Sequence, residues 1–144
     1  MVAVDINPRA VQNTLLNARR HAVQDRLRVV HSDLFDALAP EERFDVVYWH
    51  SNFVLAPEGH AYENPHDRAY VDAGYLDHER YLAEAAGLLT PGGRVLLHFS
   101  DRGEIGRLRD LAWLHGRRLR LLASRRDREG AETVRHLLYE VASD

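Results

Sequence analysis

Short apolar runs alternate with helix-length segments along the first hundred residues. Strands are predicted where these runs occur, at Val2 to Val4, Leu27 to Val30, Phe44 to Trp49 and Arg94 to Phe99. The third run is apolar throughout, which predicts burial on both of its faces. Strands separated by helix-length connections are typical of parallel βαβ units. The pattern therefore predicts an α/β fold with a doubly wound, mostly parallel sheet.

Three segments place apolar residues at helical spacing. The first begins at Asn7-Pro8, where proline suits the first turn of a helix; the second ends before Pro91-Gly92-Gly93, and the third runs from Glu104 to Gly116. The predicted packing faces are Ala10, Val11, Thr14, Leu15 and Ala18 in the first, Leu82, Ala85, Ala86 and Leu89 in the second, and Ile105, Leu108, Leu111 and Ala112 in the third. We expect each face to lie against the sheet.

The last two apolar segments, Leu119 to Ser124 and Thr133 to Val141, are joined by a polar turn through Asp127 to Ala131. So short a connection requires an antiparallel hairpin. Residues 54–76, by contrast, hold scattered Pro, Gly, His and Tyr and are too long for a simple connection. Long loops often bind ligands, so we predict an irregular substrate lid here.

Length and composition narrow the class of protein. The 144 residues, 45% of them hydrophobic, suffice for one core, and we expect a single domain over residues 1–144. The absence of cysteine excludes disulfides and thiolate chemistry, and all 19 basic residues are arginine, which is typical of a GC-rich bacterial genome. The sequence shows neither an apolar run of membrane-spanning length nor a signal peptide. We predict a cytoplasmic, bacterial protein that does not enter a membrane.

The net charge of −3 gives no general attraction to nucleic acid, so a nucleic-acid partner is not expected. Between Arg102 and Arg128, however, nine arginines face only three acidic residues. This stretch could form a basic surface for RNA, an acidic partner or a phosphate-bearing substrate. It could equally be a solvated helix face and a charged edge strand.

Two aspartates follow predicted strands. Asp5 lies between the first strand and the first helix, where a carboxylate can hold ribose hydroxyls or cap the helix. Asp33 follows the second strand in the run Ser32-Asp33-Leu34-Phe35. The order of these elements, with the Pro-Gly-Gly turn after them, resembles the class I S-adenosylmethionine-dependent methyltransferases from their second strand to their last.

The resemblance implies a Rossmann-like sheet with strand order 3-2-1-4-5-7-6 and S-adenosylmethionine as cofactor. It implies that Asp5 holds the ribose and that Ile6 flanks the adenine. Asp33 would accept a hydrogen bond from the adenine amino group, with Leu34 and Phe35 as apolar neighbours. Pro91-Gly92-Gly93 would be the turn before the fifth strand of that family.

In the family a first strand and a glycine-rich loop precede the segment that corresponds to Val2 to Asp5. The sequence has no such βα unit ahead of this strand. We therefore expect an N-terminally incomplete domain whose binding of S-adenosylmethionine is weak or absent in this chain alone. An open strand edge in such a domain would favour a homodimer.

The run His50-Ser51-Asn52-Phe53 lies where amino-group methyltransferases, including the protein-glutamine methylases of release factors, carry Asn-Pro-Pro-Tyr. The sequence departs from that motif, so the resemblance does not extend to adenine or glutamine as acceptor. His50 could instead be a catalytic base, since imidazoles titrate near neutral pH, or an idle histidine bonded to backbone.

The remaining site predictions concern the substrate and metals. Ser51, Asn52 and Phe53 are candidate substrate-binding residues. Tyr62 and Tyr70, with Tyr75, could form an aromatic wall for a substrate or pack the loop upon itself. The nine histidines show no pair at the i, i+4 spacing of a helical zinc site, so no metal is predicted.

Two functions follow from these observations. The first is an S-adenosylmethionine-dependent methyltransferase acting on a small molecule or a protein side chain. The alternative is a catalytically inactive binding or assembly module with the methyltransferase fold, which would dimerise through its open strand edge.

Overall fold

The structure of the chain is a computed structural model that describes residues 1–64 and 66–143. It contains two compact units, residues 1–42 and 43–144. The first unit is a βαβ arrangement of β1 (Val2–Asp5), α1 (Pro8–Arg20) and β2 (Arg28–His31), with a 3₁₀ turn at Gln24–Arg26 before β2. The two strands are parallel, as predicted, with Val2 opposite Arg28 and Asp5 opposite His31.

Helix α1 begins as the sequence predicts. The Asn7 side chain accepts the backbone N–H of Arg9 at 2.9 Å, and Pro8 occupies the first turn. Ala18 is buried, but Leu15 is 39% exposed, so the predicted packing face is wrong at that position. Two strands of four residues form too narrow a sheet to cover the whole apolar face of a thirteen-residue helix.

The second unit holds the remaining elements. In chain order they are β3 (Phe44–His50), β4 (Val54–Ala56), β5 (Val71–Ala73), α2 (Leu76–Glu84), β6 (Leu89–Ser100), α3 (Ile105–Leu114), β7 (Arg117–Glu129) and β8 (Glu132–Ser143), with 3₁₀ turns at Asp67–Ala69 and Ala85–Leu88. Four strands form a sheet in the order β3-β6-β8-β7. None of the helices described in residues 1–64 and 66–143 is long and apolar enough to cross a membrane.

Strand directions agree with the predicted hairpin and parallel units. β3 and β6 are parallel, whereas β8 is antiparallel to both β6 and β7. The neighbours within each unit are those that the resemblance implied, since β2-β1 corresponds to the order 3-2 and β3-β6-β8-β7 to the order 4-5-7-6.

One face of the four-stranded sheet forms the core. The buried side chains are Val47, Val95, Leu97, Phe99, Leu137, Tyr139 and Val141 from the strands, and Tyr81, Leu82, Leu108, Leu111 and Ala112 from the helices. The Tyr81 hydroxyl donates to backbone oxygens of Val47 and Leu96. Burial raises the pKa of Tyr81 well above its ordinary value.

The prediction that β3 is buried on both faces is wrong. Val46 and Tyr48 are each 53% exposed, whereas Val47 between them is buried. Successive residues of a strand point to opposite faces, and Tyr81 of α2 contacts Trp49, which lies on the same face as Val47. An apolar run therefore did not imply two covered faces.

Two predicted turns also differ from the structure. Pro91-Gly92-Gly93 lies within β6, which already begins at Leu89, and the register with β3 shifts at this point. Gly93 is required there, because a Cβ atom would come within 2.9 Å of the Phe44 carbonyl oxygen. In the hairpin, paired strands extend to Glu129 and Glu132, since backbone hydrogen bonding continues through residues that the polar pattern assigned to the turn.

The predicted lid is more regular than the sequence indicated. Its strands β4 and β5 pair in parallel, with Val54 opposite Val71 and Ala56 opposite Ala73. Each has only three residues, so neither shows a recognisable apolar period. Main-chain pairing between β4 and β5 therefore joins the two ends of this segment to each other.

Candidate functional site

Both candidate adenosine carboxylates follow the strands of the first unit. Asp5 ends β1, and Asp33 lies two residues beyond the end of β2. The backbone N–H of Ser32 donates to the Asp5 carbonyl at 3.0 Å, which continues the parallel pairing past the strands. Ligands of open α/β sheets bind at the carboxyl ends of the strands. The structure therefore brings Asp5 and Asp33 to the carboxyl-terminal edge of this sheet.

The side chain of Asp5 is not the cap of α1. Asn7 fills that role, and Asp5 Oδ1 instead accepts the Asn7 backbone N–H at 2.8 Å. Asp5 is exposed, while Ile6 beside it is half-buried. His31 Nε2 lies 2.8 Å from the Ile6 carbonyl oxygen and ties this turn to the end of β2. The geometry leaves an accessible carboxylate beside an apolar residue.

The turn around Asp33 is held by a buried serine. Ser32 Oγ donates to the Leu34 carbonyl and accepts the Ala37 backbone N–H, each at 3.0 Å. Leu34 has a φ of 44°, a left-handed conformation that non-glycine residues adopt only when their surroundings hold it. Asp33, Leu34 and Phe35 are all half-buried. With Asp5 and Ile6 they fit the adenosine part of S-adenosylmethionine, as two acceptors with apolar neighbours.

In the second unit His50 lies exposed at the end of β3. Its ring stacks on that of His98, its register partner in β6, with centroids 4.2 Å apart and planes 13° apart. Ser51 follows and is buried, and its hydroxyl donates to the His98 carbonyl at 2.7 Å. His50 thus lies at the exposed end of β3, with its ring stacked on that of His98.

Asn52 connects this strand end to the lid. Its Nδ2 donates to the Val71 carbonyl at 3.1 Å and to Asp77 Oδ2 at 3.2 Å. Its Oδ1 is buried without a hydrogen-bond partner among the described residues. Phe53 packs edge-on against Phe99. Asn52 is therefore an anchor of β5, and its amide oxygen is buried and unpaired among the described residues.

The three tyrosines of the lid differ in their surroundings. Tyr62 accepts the Ala73 backbone N–H through its hydroxyl at 3.2 Å, whereas Tyr70 is 53% exposed. Tyr75 is fully buried with a φ of 59°; its hydroxyl donates to the Phe53 carbonyl and accepts the Glu104 N–H, each at 2.7 Å. Burial raises the pKa of Tyr75 to about 12. Tyr75 packs the lid, and Tyr70 is the tyrosine that stays accessible.

Two groups of paired polar side chains were not predicted from the sequence. Asp72 and His78 form a buried pair, and His98, His136 and Glu129 form a hydrogen-bonded row. Both depend on contacts between different strands or between a strand and a helix, for which the spacing along the chain carries no signal. Within residues 1–64 and 66–143, no three His, Asp or Glu side chains converge to hold a metal ion.

Comparison with known proteins gives one curated relative and several solved structures. A "Bifunctional methyltransferase" of Rickettsia felis is 26% identical over 111 residues, which cover 72% of this chain and 21% of the relative. A methyltransferase of Pyrococcus furiosus superposes with a TM-score of 0.61 at 17% identity, covering 96% of this chain and 61% of the other. No family model matches the sequence.

A third similar structure is a putative tRNA (m1A22) methyltransferase of Streptococcus pneumoniae, with a TM-score of 0.63 at 17% identity, covering 99% of this chain and 53% of the other. The chain thus spans about a fifth of the curated relative and little more than half of these solved structures. The strand order and these likenesses define an α/β, Rossmann-like fold of the class I methyltransferases, as the resemblance in sequence implied.

Proposed function

We propose that the chain is part of an S-adenosylmethionine-dependent methyltransferase whose first unit binds the adenosine part of the cofactor. The observation that carries the proposal is the position of Asp5 and Asp33 after neighbouring parallel strands, with Ile6, Leu34 and Phe35 around them. The 26% identity to a bifunctional methyltransferase supports the same activity. The acceptor would be a small molecule or a protein side chain.

Methyl transfer needs little from the protein beyond placing the reactants in line and removing a proton. When bound, S-adenosylmethionine supplies an electrophilic methyl group. Asp5 and Asp33 would hold its adenosine part, and its carbon–sulfur bond would break, with the bonding pair kept by sulfur, as the acceptor bonds to the methyl carbon. An oxygen or nitrogen acceptor also loses a proton to a base.

His50 is the proposed base in the second unit. It is exposed at a strand end, and its ring is held by stacking on His98. Ser51, Asn52, Phe53, Tyr62 and Tyr70 would line the acceptor side. Residues 54–76 would cover the bound acceptor.

Calorimetric titration with S-adenosylhomocysteine, the methyl-transfer product, tests the adenosine site; because we expect this chain alone to bind weakly, the titration uses ligand concentrations high enough to detect weak binding. Asp5→Asn keeps the size of the side chain but replaces one acceptor oxygen by a donor, so we expect affinity to fall about tenfold or more. Asp25→Asn, an exposed aspartate of the same unit, is the matched control and should bind as the parent does. Equal affinities for the two variants would overturn the assignment of Asp5.

The alternative of a non-catalytic module rests on two strand edges. Among the described residues, β1 pairs only with β2 and β3 pairs only with β6, which leaves one edge of each strand unpaired. Such edges favour pairing with another chain. A homodimer that forms this way would show protected amides at Val2–Asp5 by hydrogen exchange, and sedimentation equilibrium would give twice the chain mass. A monomer with rapidly exchanging β1 amides would exclude it.

We also propose a cellular location for the protein. The chain has no cysteine, so its folding does not depend on an oxidising compartment, and its use of arginine without lysine suits a GC-rich bacterium. A cytoplasmic bacterial protein fits both features. Cell fractionation with an antibody to the chain would test it.

A further inference from the structure

Three neighbouring strands carry a continuous row of hydrogen-bonded side chains. His98 of β6 lies with its Nε2 3.1 Å from Nδ1 of His136 in β8. His136 in turn has its Nε2 3.0 Å from Oε1 of Glu129 in β7. The two histidine rings are 23° from coplanar with centroids 5.2 Å apart, so they meet edge to edge. The row ends at His98, and the ring of His50 stacks on the ring of His98.

Hydrogen-bonding rules assign the protons in this row. An ionised carboxylate only accepts, so Glu129 requires a proton on His136 Nε2. In the neutral ring His136 Nδ1 is then an acceptor, which requires the proton of His98 to be on Nε2. This leaves His98 Nδ1 unprotonated, and that atom is buried without a hydrogen-bond partner among the described residues. One carboxylate thereby determines the tautomers of two imidazoles.

The charged groups around the row keep His98 neutral. Burial, with added repulsion from His50 and His136, lowers the pKa of His98 to about 4. The other oxygen of Glu129 accepts from Arg102 at 2.7 Å. Arg125, the register partner of His136 in β7, is paired with Asp127 at 2.8 Å and so directs its charge away from the imidazoles. His98 therefore offers His50 an uncharged ring face.

We propose that Glu129, His136 and His98 are positioning residues for His50. The inference rests on the proposed function, in which His50 accepts a proton from the methyl acceptor. A ring tied through its in-plane nitrogen cannot rotate about χ2 without losing a hydrogen bond, so His98 holds its face against His50. His50 is thereby kept at the end of β3 in one orientation, beside an uncharged ring that does not oppose its protonation.

Glu129→Gln tests the row, because a glutamine amide both donates and accepts and so no longer determines the tautomer of His136. Glu132→Gln is the matched control: Glu132 also contacts Arg102, at 3.3 Å, but does not belong to the row. Imidazole ¹⁵N shifts of the full chain should show protons on Nε2 of both His98 and His136 in the parent and in Glu132→Gln. In Glu129→Gln we expect mixed tautomers and weaker ring contacts between His50 and His98 in nuclear Overhauser spectra.

Kinetics separates a positioning role from a structural one. With an accepted methyl acceptor, Glu129→Gln should lower kcat about three- to tenfold, the rate effect of one lost hydrogen bond, with KM unchanged, while Glu132→Gln leaves both unchanged. Protons on Nδ1 in the parent, or unaltered tautomers or kcat in Glu129→Gln, would overturn the proposal. Absence of methyl transfer by the parent even at high S-adenosylmethionine concentration would instead count against the proposed function, and the tautomers of His98 and His136 would still decide the row.

Discussion

The carboxylate of Asp72 lies 2.6 Å from Nδ1 of His78, and both side chains are at most 1% exposed. The same carboxylate accepts the backbone N–H groups of Asp77 and His78, which begin α2. The His78 ring contacts Trp49, Tyr75 and Phe99, so the pair is enclosed by aromatic rings. One buried interaction therefore joins the last strand of the lid to the helix that covers the sheet.

Asp72→Asn should destabilise the second unit. The amide keeps one acceptor oxygen for the His78 N–H and ring Nδ1, but its NH2 group then faces the Asp77 N–H, which loses its acceptor. A buried group left unpaired costs about 1–3 kcal/mol. Urea unfolding followed by tryptophan fluorescence measures the loss. Asp110→Asn, on the exposed side of α3, is the control, and equal stabilities of the two variants would contradict this account.

Tyr75→Phe should loosen the lid. Its hydroxyl satisfies two backbone groups, the Phe53 carbonyl and the Glu104 N–H, and both lose their partner in the variant. Each buried group left unpaired costs about 1–3 kcal/mol. We expect a lower unfolding midpoint and faster amide exchange in β4 and β5. Tyr70→Phe removes an exposed hydroxyl and should change neither quantity.

The stability of the folded chain should decrease as the pH is lowered, because of His98. Its pKa is lowered from the ordinary 6.5 to about 4 in the folded state, so the unfolded chain binds the proton first as the pH falls. The contribution of His98 is complete above about pH 6.5 and is lost progressively down to about pH 4. Urea midpoints at pH 5 and pH 7 should differ more for the parent than for His98→Phe. The exposed His21→Gln should keep the parent's difference, and an unchanged difference in His98→Phe would disprove the assignment.

His50→Gln should impair methyl transfer without affecting cofactor binding. A positioned base contributes about 10²–10⁴-fold to a rate, so we expect a loss of kcat in that range when the acceptor must lose a proton. His21→Gln, an exposed histidine outside the proposed acceptor site, is the control. Affinity for S-adenosylhomocysteine should stay unchanged in both variants. A kcat equal to the control's would show that His50 is not the base.

Local patterns predicted much of the fold. The beginning of α1 at Pro8, the extent of α3 and the antiparallel hairpin are confirmed, because capping, helical period and turn length act within a few residues. The position of Asp5 and Asp33 at one sheet edge also followed from the sequence, since each lies at or just after the end of a strand. The strands of the lid were not predictable in this way, because three-residue strands form only through their partners.

The sequence by itself determined the order of the strands and helices outside the lid, the parallel pairs among them and the carboxylates at the strand ends, since these depend on the apolar period and on neighbouring residues. Tertiary structure alone decided which face of β3 is covered, how Asp72 meets His78, and that Glu129, His136 and His98 form one row. Those contacts join residues of different elements. Their geometry is set by strand register and by helix packing, which no spacing along the chain encodes.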